Sequence, residues 1–237
     1  MKGIVFVLHG RRNRIARGNF AAVEQLVPLL EKNGFLCRIG LLEGDHQTLE
    51  AALTQLQELG VTEYLLVPVL LFGATHFKQD LPERTQKILG EAKVQLLAPL
   101  GTTQAIYQSL KQQLMINLAE KPGTRGLLIA HGTPHYQEPA VELQQIAAKM
   151  SQETGDQILA ANYIGSNDYQ SFLTAHPEER FVIQPFFLTH GHLVEKISQW
   201  IKENHLPMDV ILPTLEESPA LVEALKERLV EAGCIPS

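Results

Sequence analysis

GIVFVLHGRRNRIAR, residues Gly3–Arg17, begins as an unbroken apolar run and ends as a basic loop. Ile4–Leu8 is short and rich in β-branched residues, as expected of a strand buried on both faces in a parallel sheet. It stops abruptly at His9-Gly10, and Arg11, Arg12, Arg14 and Arg17 follow within seven residues. Ligands of open α/β sheets gather at the carboxyl ends of the strands. His9 therefore stands where a titratable, metal-capable imidazole would face a ligand, beside a glycine that allows close approach. The pattern recurs: GLLIAHG at Gly126–Gly132 repeats the strand and its His-Gly ending 122 positions later.

The repeat divides the 237 residues into an N-terminal half, 1–120, carrying the main site, and a degenerate C-terminal half, 125–237. The PG-containing stretch Glu120–Arg125 reads as the linker. Within each half, apolar runs alternate with amphipathic stretches. In the first half, strands are expected at Phe35–Leu42, Glu63–Phe72 and Val94–Leu97. Helices are expected over Asn19–Lys32, Leu49–Leu59, Phe77–Leu89 and Thr103–Leu118. The second half repeats this order, and FVIQPFFL at Phe181–Leu188 matches YLLVPVLL at Tyr64–Leu71, each with a proline inside the run. Proline in a strand points to an edge or an end. The fold class that follows is α/β: two similar doubly wound parallel-sheet halves facing a central cleft.

A net charge of −6 argues against nucleic acid as the main partner, although the arginines after His9 could form a local basic patch. Two cysteines, Cys37 and Cys234, make neither a disulfide framework nor a CxxC zinc site, and Cys37 reads as a buried, inert thiol. The first apolar run is too short for a signal peptide and no run reaches the length of a membrane span. A cytoplasmic protein with no membrane partner is expected.

Three groups of the first half fall at carboxyl ends of expected strands: His9, Glu43 and His76. Two imidazoles and a carboxylate suit a divalent transition metal and leave positions open for exchange. The same trio could instead transfer protons, with His9 as base and Glu43 orienting an imidazole. Arg11 and Arg12, with Lys78 beside His76, suit an acidic ligand; a solvated basic loop would look the same. In the second half His131 and His192 hold the matching places, with His135 and His190 nearby. Glu43 has no obvious counterpart there, since the matching stretch is Tyr163-Ile164-Gly165. One complete site and one possible incomplete copy at His131 and His192 are thus expected. His46, His176 and His205 lie in polar surroundings and read as exposed.

These residues resemble the class II tetrapyrrole chelatases, specifically the sirohydrochlorin chelatase family. FVLHGRR at Phe6–Arg12 is similar to its LLVxHGSR motif, and LLE at Leu41–Glu43 to its FLE. VPVLLFGATHFKQDLP at Val67–Pro82 is similar to its proline, apolar run, Gly, His and Asp-(Ile/Leu)-Pro signature. Arg11 departs from the family's usual Ser. The resemblance spans the chain and looks like the long, internally duplicated form. It implies a lyase that inserts a divalent metal into sirohydrochlorin, for sirohaem or cobalamin-type cofactors. The metal (Fe2+ first, then Co2+, or Ni2+) would be a substrate, and no organic cofactor is implied. His9 and His76 would be metal ligands or bases, with Glu43 assisting. A duplicated chain takes the place of a homodimer of short chains, so a monomer is expected. A two-lobed metal carrier without catalysis, or a phosphoryl-transfer enzyme with a histidine nucleophile, would use much the same residues.

Overall fold

A computed structural model describes residues 1–10, 17–205, 209–216 and 218–236. It divides into two compact units, Met1–Ile106 with Pro219–Ser237, and Tyr107–Ser218. The first holds a parallel four-stranded sheet in the order β2-β1-β3-β4: β1 Lys2–Leu8, β2 Phe35–Leu41, β3 Glu63–Val69 and β4 Lys93–Leu96. Helices α1 Arg17–Glu24, α2 Val27–Lys32, α3 Leu49–Glu58 and α4 Leu81–Leu89 connect the strands. After β4, α5 runs Gln104–Ala119 and crosses the division between the units at Ile106. The final helix, α9 Ala220–Glu231, belongs to the first unit, where its Glu227 carboxylate accepts the N–H groups of Gln104 and Ala105.

The central strand β1 explains the apolar run. Ile4–Leu8 is fully buried, with Val5 and Val7 packing against Leu49, Leu53, Leu56 and Leu81 of α3 and α4. Burial of each such side chain contributes about 1.5–3 kcal/mol. Helix α3 is capped by Thr48, whose hydroxyl accepts the Ala51 N–H. The single helix expected over Asn19–Lys32 is two helices instead. Pro28 lacks an N–H and stands in the first turn of α2, which restarts the chain there.

The second unit repeats the topology with β5 Thr124–Ala130, β6 Ile158–Asn162, β7 Arg180–Pro185 and β8 Val210–Ile211, in the order β6-β5-β7-β8. Its helices are α6 Glu138–Thr154, α7 Tyr169–Thr174 and α8 His192–Asn204.

The recurring proline has a shared cause. Pro68 pairs with Val7, and Pro185 with Ile129, at the carboxyl ends of β3 and β7. The outer neighbours end earlier: Leu97 N–H donates to Leu66 O and Leu212 N–H to Ile183 O, and the next bonds, from Leu100 N–H to Leu70 O and from Leu215 N–H to Phe187 O, pass over the prolines. Two residues further on, the outward-facing N–H would find no acceptor, so proline loses nothing. Cys37 is buried and both cysteines are free; burial pushes the Cys37 thiol up to about 12. Among the described residues no helix is long and apolar enough to cross a membrane.

Candidate metal centre

In a sheet ordered β2-β1-β3-β4, the chain runs from β1 outward to β2 and then crosses back past β1 to β3, so the winding reverses between β1 and β3 and their carboxyl ends form a switch point. His9 follows β1, Glu43 follows β2 and His76 opens the turn after β3. The first two are tied through backbone: Leu42 N–H donates to Leu8 O at 2.9 Å and Glu43 N–H to His9 O at 2.8 Å. Gly10 makes this approach possible. It has φ +80°, and a Cβ there would overlap the Glu43 carbonyl oxygen.

His76 is set by a widened helical turn. Residues His76–Asp80 are wound as a π-type turn, in which Leu81 N–H donates to His76 O five residues back, before α4 continues as a regular helix. Such turns are rare and cluster at functional sites. His76 Nδ1 lies 2.6 Å from Asp80 Oδ2. A carboxylate only accepts, so Nδ1 carries the proton and Nε2 offers its lone pair. The same logic applies to His9, whose Nδ1 lies 3.1 Å from Gly10 O. Its ring stands edge-on to His76, centroids 4.7 Å apart at 88°. Glu43 Oε2 lies 3.8 Å from His9 Nδ1.

One ligand atom each from His9, Glu43 and His76 lies within 4.8 Å of the others, and among the described residues no other group of three His, Cys, Asp or Glu side chains does so. His9 and Glu43 are exposed and His76 is half-buried. Two imidazoles and one carboxylate could hold a first-row divalent ion and leave coordination positions open. The three residues singled out at the strand ends are therefore neighbours in space. Asp80, which orients His76, stands in the quoted Asp-Leu-Pro stretch but was given no role; its signal in the sequence is the four-residue spacing from His76 across HFKQD. Lys78 lies exposed in the same turn. Arg11 and Arg12 lie outside the described residues, as does Arg14, and Arg17 opens α1.

The second unit keeps the backbone of this site and the imidazole that follows its first strand, but not the carboxylate. His131 Nδ1 lies 2.7 Å from Gly132 O, and Ile164 N–H donates to His131 O at 3.0 Å. Ile164, 37% exposed, thereby occupies the place of Glu43. His192 is the first residue of α8, which begins without a π-type turn, and His190 N–H is taken by the Glu216 carboxylate at 2.6 Å. His46 is exposed as expected. His205 is not: its side chain is 2% exposed, with Nδ1 2.5 Å from buried Asp209 and Nε2 3.1 Å from His176 O. His176 is half-buried, its ring stacked on Phe172 with Nδ1 2.7 Å from Phe172 O. Both have hydrogen-bond partners that a polar sequence neighbourhood does not disclose.

Comparison with known proteins gives matches over the same two halves. The family model CbiX matches residues 3–116 and again 125–232. A sirohydrochlorin cobaltochelatase of Sulfurisphaera tokodaii is 32% identical over 114 residues, which are 48% of this chain and 92% of that protein. The relative is thus about as long as one half. A sirohydrochlorin ferrochelatase of Priestia megaterium is 25% identical over 224 residues, covering 86% of this chain and 79% of the relative. The fold matches the sirohydrochlorin chelatase SirB of Bacillus subtilis subspecies spizizenii, solved with cobalt, at a TM-score of 0.77. That match has 21% identity over 99% of this chain and 96% of that one.

Proposed function

The chain belongs to the CbiX family, and on that premise we propose that it is a chelatase inserting a divalent metal into sirohydrochlorin, ferrous iron first and cobalt next. The observation that carries this reading is the cluster of His9, Glu43 and His76 at the switch point of the first sheet. The order of the metals leans on the relative matching 86% of the chain, which is named a ferrochelatase. The donors themselves suit iron, cobalt and nickel alike.

Insertion exchanges the two pyrrole N–H protons of the macrocycle for the ion. The ion, as substrate, has to be held firmly enough to be oriented and loosely enough to be handed on. Three protein donors on an exposed edge meet both needs, because water fills the remaining positions and leaves as pyrrole nitrogens arrive. His9 and His76 present Nε2 lone pairs, which can ligate the ion or accept a released proton. Asp80 keeps the His76 ring in one tautomer and one orientation. Lys78, and Arg11 and Arg12 after His9, would meet the carboxylates around the macrocycle. No organic cofactor enters this scheme, and the halves 1–120 and 125–237 are taken to act in one monomeric chain, the first carrying the chemistry.

The test is the visible absorbance of sirohydrochlorin with Fe2+, Co2+ or Ni2+ under anaerobic conditions, over the uncatalysed background. Wild type is expected to accelerate insertion, His9→Ala to lose the acceleration and His131→Ala to keep it. Loss in both variants would mean that the second half contributes to the reaction. No acceleration with any metal would sink the proposal and favour a metal carrier, which should hold its ion tightly and leave the tetrapyrrole unchanged.

A further inference from the structure

Arg84 and Glu50 are 34 residues apart and form a bidentate pair. Arg84 Nε lies 2.6 Å from Glu50 Oε1, and Nη2 2.7 Å from Oε2. The third arm of the guanidinium is used too: Nη1 donates to the backbone carbonyl of Leu42 at 2.7 Å. Leu42 immediately precedes Glu43. The peptide between them is therefore gripped from two sides, by Arg84 at its oxygen and by His9 O at its N–H.

The arginine lies in the first turn of α4, directly after the π-type turn that carries His76 and Asp80. One side chain thus bolts the segment bearing Glu43 to the segment bearing His76, with Glu50 in the first turn of α3 as its counter-charge. The pair is only partly exposed, 28% for Arg84 and 38% for Glu50. Hydrogen bonding from Arg84 holds the Glu50 carboxyl below its usual range.

The second unit supplies an internal comparison. Burial of Leu81, Arg84 and Thr85 in α4 aligns with Ile197, Trp200 and Ile201 in α8. The capped starts of α3 at Thr48 and α7 at Asp168 align Glu50 with Gln170. Where the first unit has the ion pair, the second has Trp200 packed edge-on against Tyr169 at 5.4 Å. Ile164 of the second unit keeps the bond to His131 O that Glu43 has to His9 O. The clamp is thus present where a carboxylate has to be aimed and replaced by aromatic packing where none exists.

We propose that Arg84, held by Glu50, is the positioning residue of the metal centre: by gripping the Leu42 carbonyl it fixes the Glu43 carboxylate relative to His9 and His76. This rests on reading those three side chains as metal ligands. Only Arg combines the bidentate fork with a third donor; Lys at this position could reach the carboxylate or the carbonyl but not hold both in one plane.

The test is titration of the metal-free protein with Co2+ alone, following the visible d–d bands, whose energy and intensity report ligand number and geometry. Arg84→Met and Arg84→Lys are compared with wild type, Glu43→Gln and Arg125→Met. The last breaks the surface pair of Arg125 with Glu179 in the second unit and controls for general loss of stability. Arg84→Met is expected to raise the Co2+ Kd about tenfold, with bands shifted toward those of Glu43→Gln, while Arg125→Met stays at wild type. Arg84→Lys should recover less than half of that loss on a logarithmic scale; if Arg84→Met does not fold, Arg84→Lys is the deciding variant. Wild-type Kd and bands in the folded Arg84 variant would overturn the proposal. Failure of wild type itself to bind Co2+ would instead overturn the metal-centre reading beneath it.

Discussion

Replacing Gly10 with alanine should disable the candidate metal centre through the backbone, without touching His9, Glu43 or His76. Gly10 has φ +80°, a region that costs an alanine about 1 kcal/mol or more. Its new Cβ would also overlap the Glu43 carbonyl oxygen, well inside the 3.0 Å below which Cβ contacts essentially never occur. Either His9-Gly10 or the Glu43 segment must yield by about 1 Å. With overpacking of about 1–3 kcal/mol added to the φ strain, the loss is about 2–4 kcal/mol, or roughly 5–15 °C in Tm.

Gly132 gives the matched control. It has φ +69°, and a Cβ there would overlap the Ile164 carbonyl oxygen in the same way. Both variants should therefore melt earlier by similar amounts in calorimetry. Their chemistry should diverge. A displacement of about 1 Å at the reacting groups costs on the order of 100-fold in rate, so Gly10→Ala should lose that much chelation measured well below its melting point. Gly132→Ala should stay within a few-fold of wild type. Equal losses in the two variants, or a wild-type rate in Gly10→Ala, would refute the claim that this backbone contact holds Glu43 against His9.

Asp80→Asn removes the anionic acceptor of His76 Nδ1 and should weaken Co2+ binding by about 10–100-fold, read by absorbance titration. The pair is more than a third exposed, so Tm should move little. Glu50 has its carboxyl depressed below about 4.5 by bonds from Arg84, so this pair stabilises the fold above that pH and its contribution is lost as pH falls through the lowered value. Arg84→Met should accordingly flatten the acid limb of stability below pH about 4.5, by about 1 kcal/mol or less given its exposure, measured by urea titration across pH 3–6. Ile164→Glu, placed in a His9→Ala background, should not create a second metal centre: Co2+ bands equal to wild type would contradict this.

The strands and the grouping of His9, Glu43 and His76 were legible because both rest on local rules. An apolar run that stops at a polar residue marks a strand end, and a doubly wound sheet gathers strand ends, so His9, Glu43 and His76 could be grouped across 67 residues of sequence. What escaped depends on contacts that no local pattern encodes. The Arg84 grip on Glu50 and on Leu42 O spans 34 and 42 residues. The tolerance of Pro68 follows from where a neighbouring strand ends. Two further misses were readable in principle. Pro28 inside the expected helix was a break signal, and His205 stands four residues before Asp209, the spacing at which they bond. Arg11 and Arg12 lie outside the described residues, so their part in holding an acidic ligand rests on the sequence.

The two units share a sheet topology, yet among the described residues only the first carries a candidate metal centre, and their differences show why. From Pro68 to Leu81 the first unit has thirteen steps, whereas from Pro185 to Ile197 the second has twelve. The additional residue falls before the turn: Pro68 to His76 is eight steps and Pro185 to His192 seven, while His76 to Leu81 and His192 to Ile197 are both five. The π-type turn brings His76 and Asp80 to bonding distance. In the second unit α8 starts as a regular helix and His192 is left at its first position. Restoring a carboxylate at Ile164 would therefore supply one donor without the turn that presents an imidazole. Trp200, packed against Tyr169, would also offer no fork to hold the preceding carbonyl. Glu43, the π-type turn and the Arg84 clamp act as one device, and a polar side chain added alone would leave the other two parts missing.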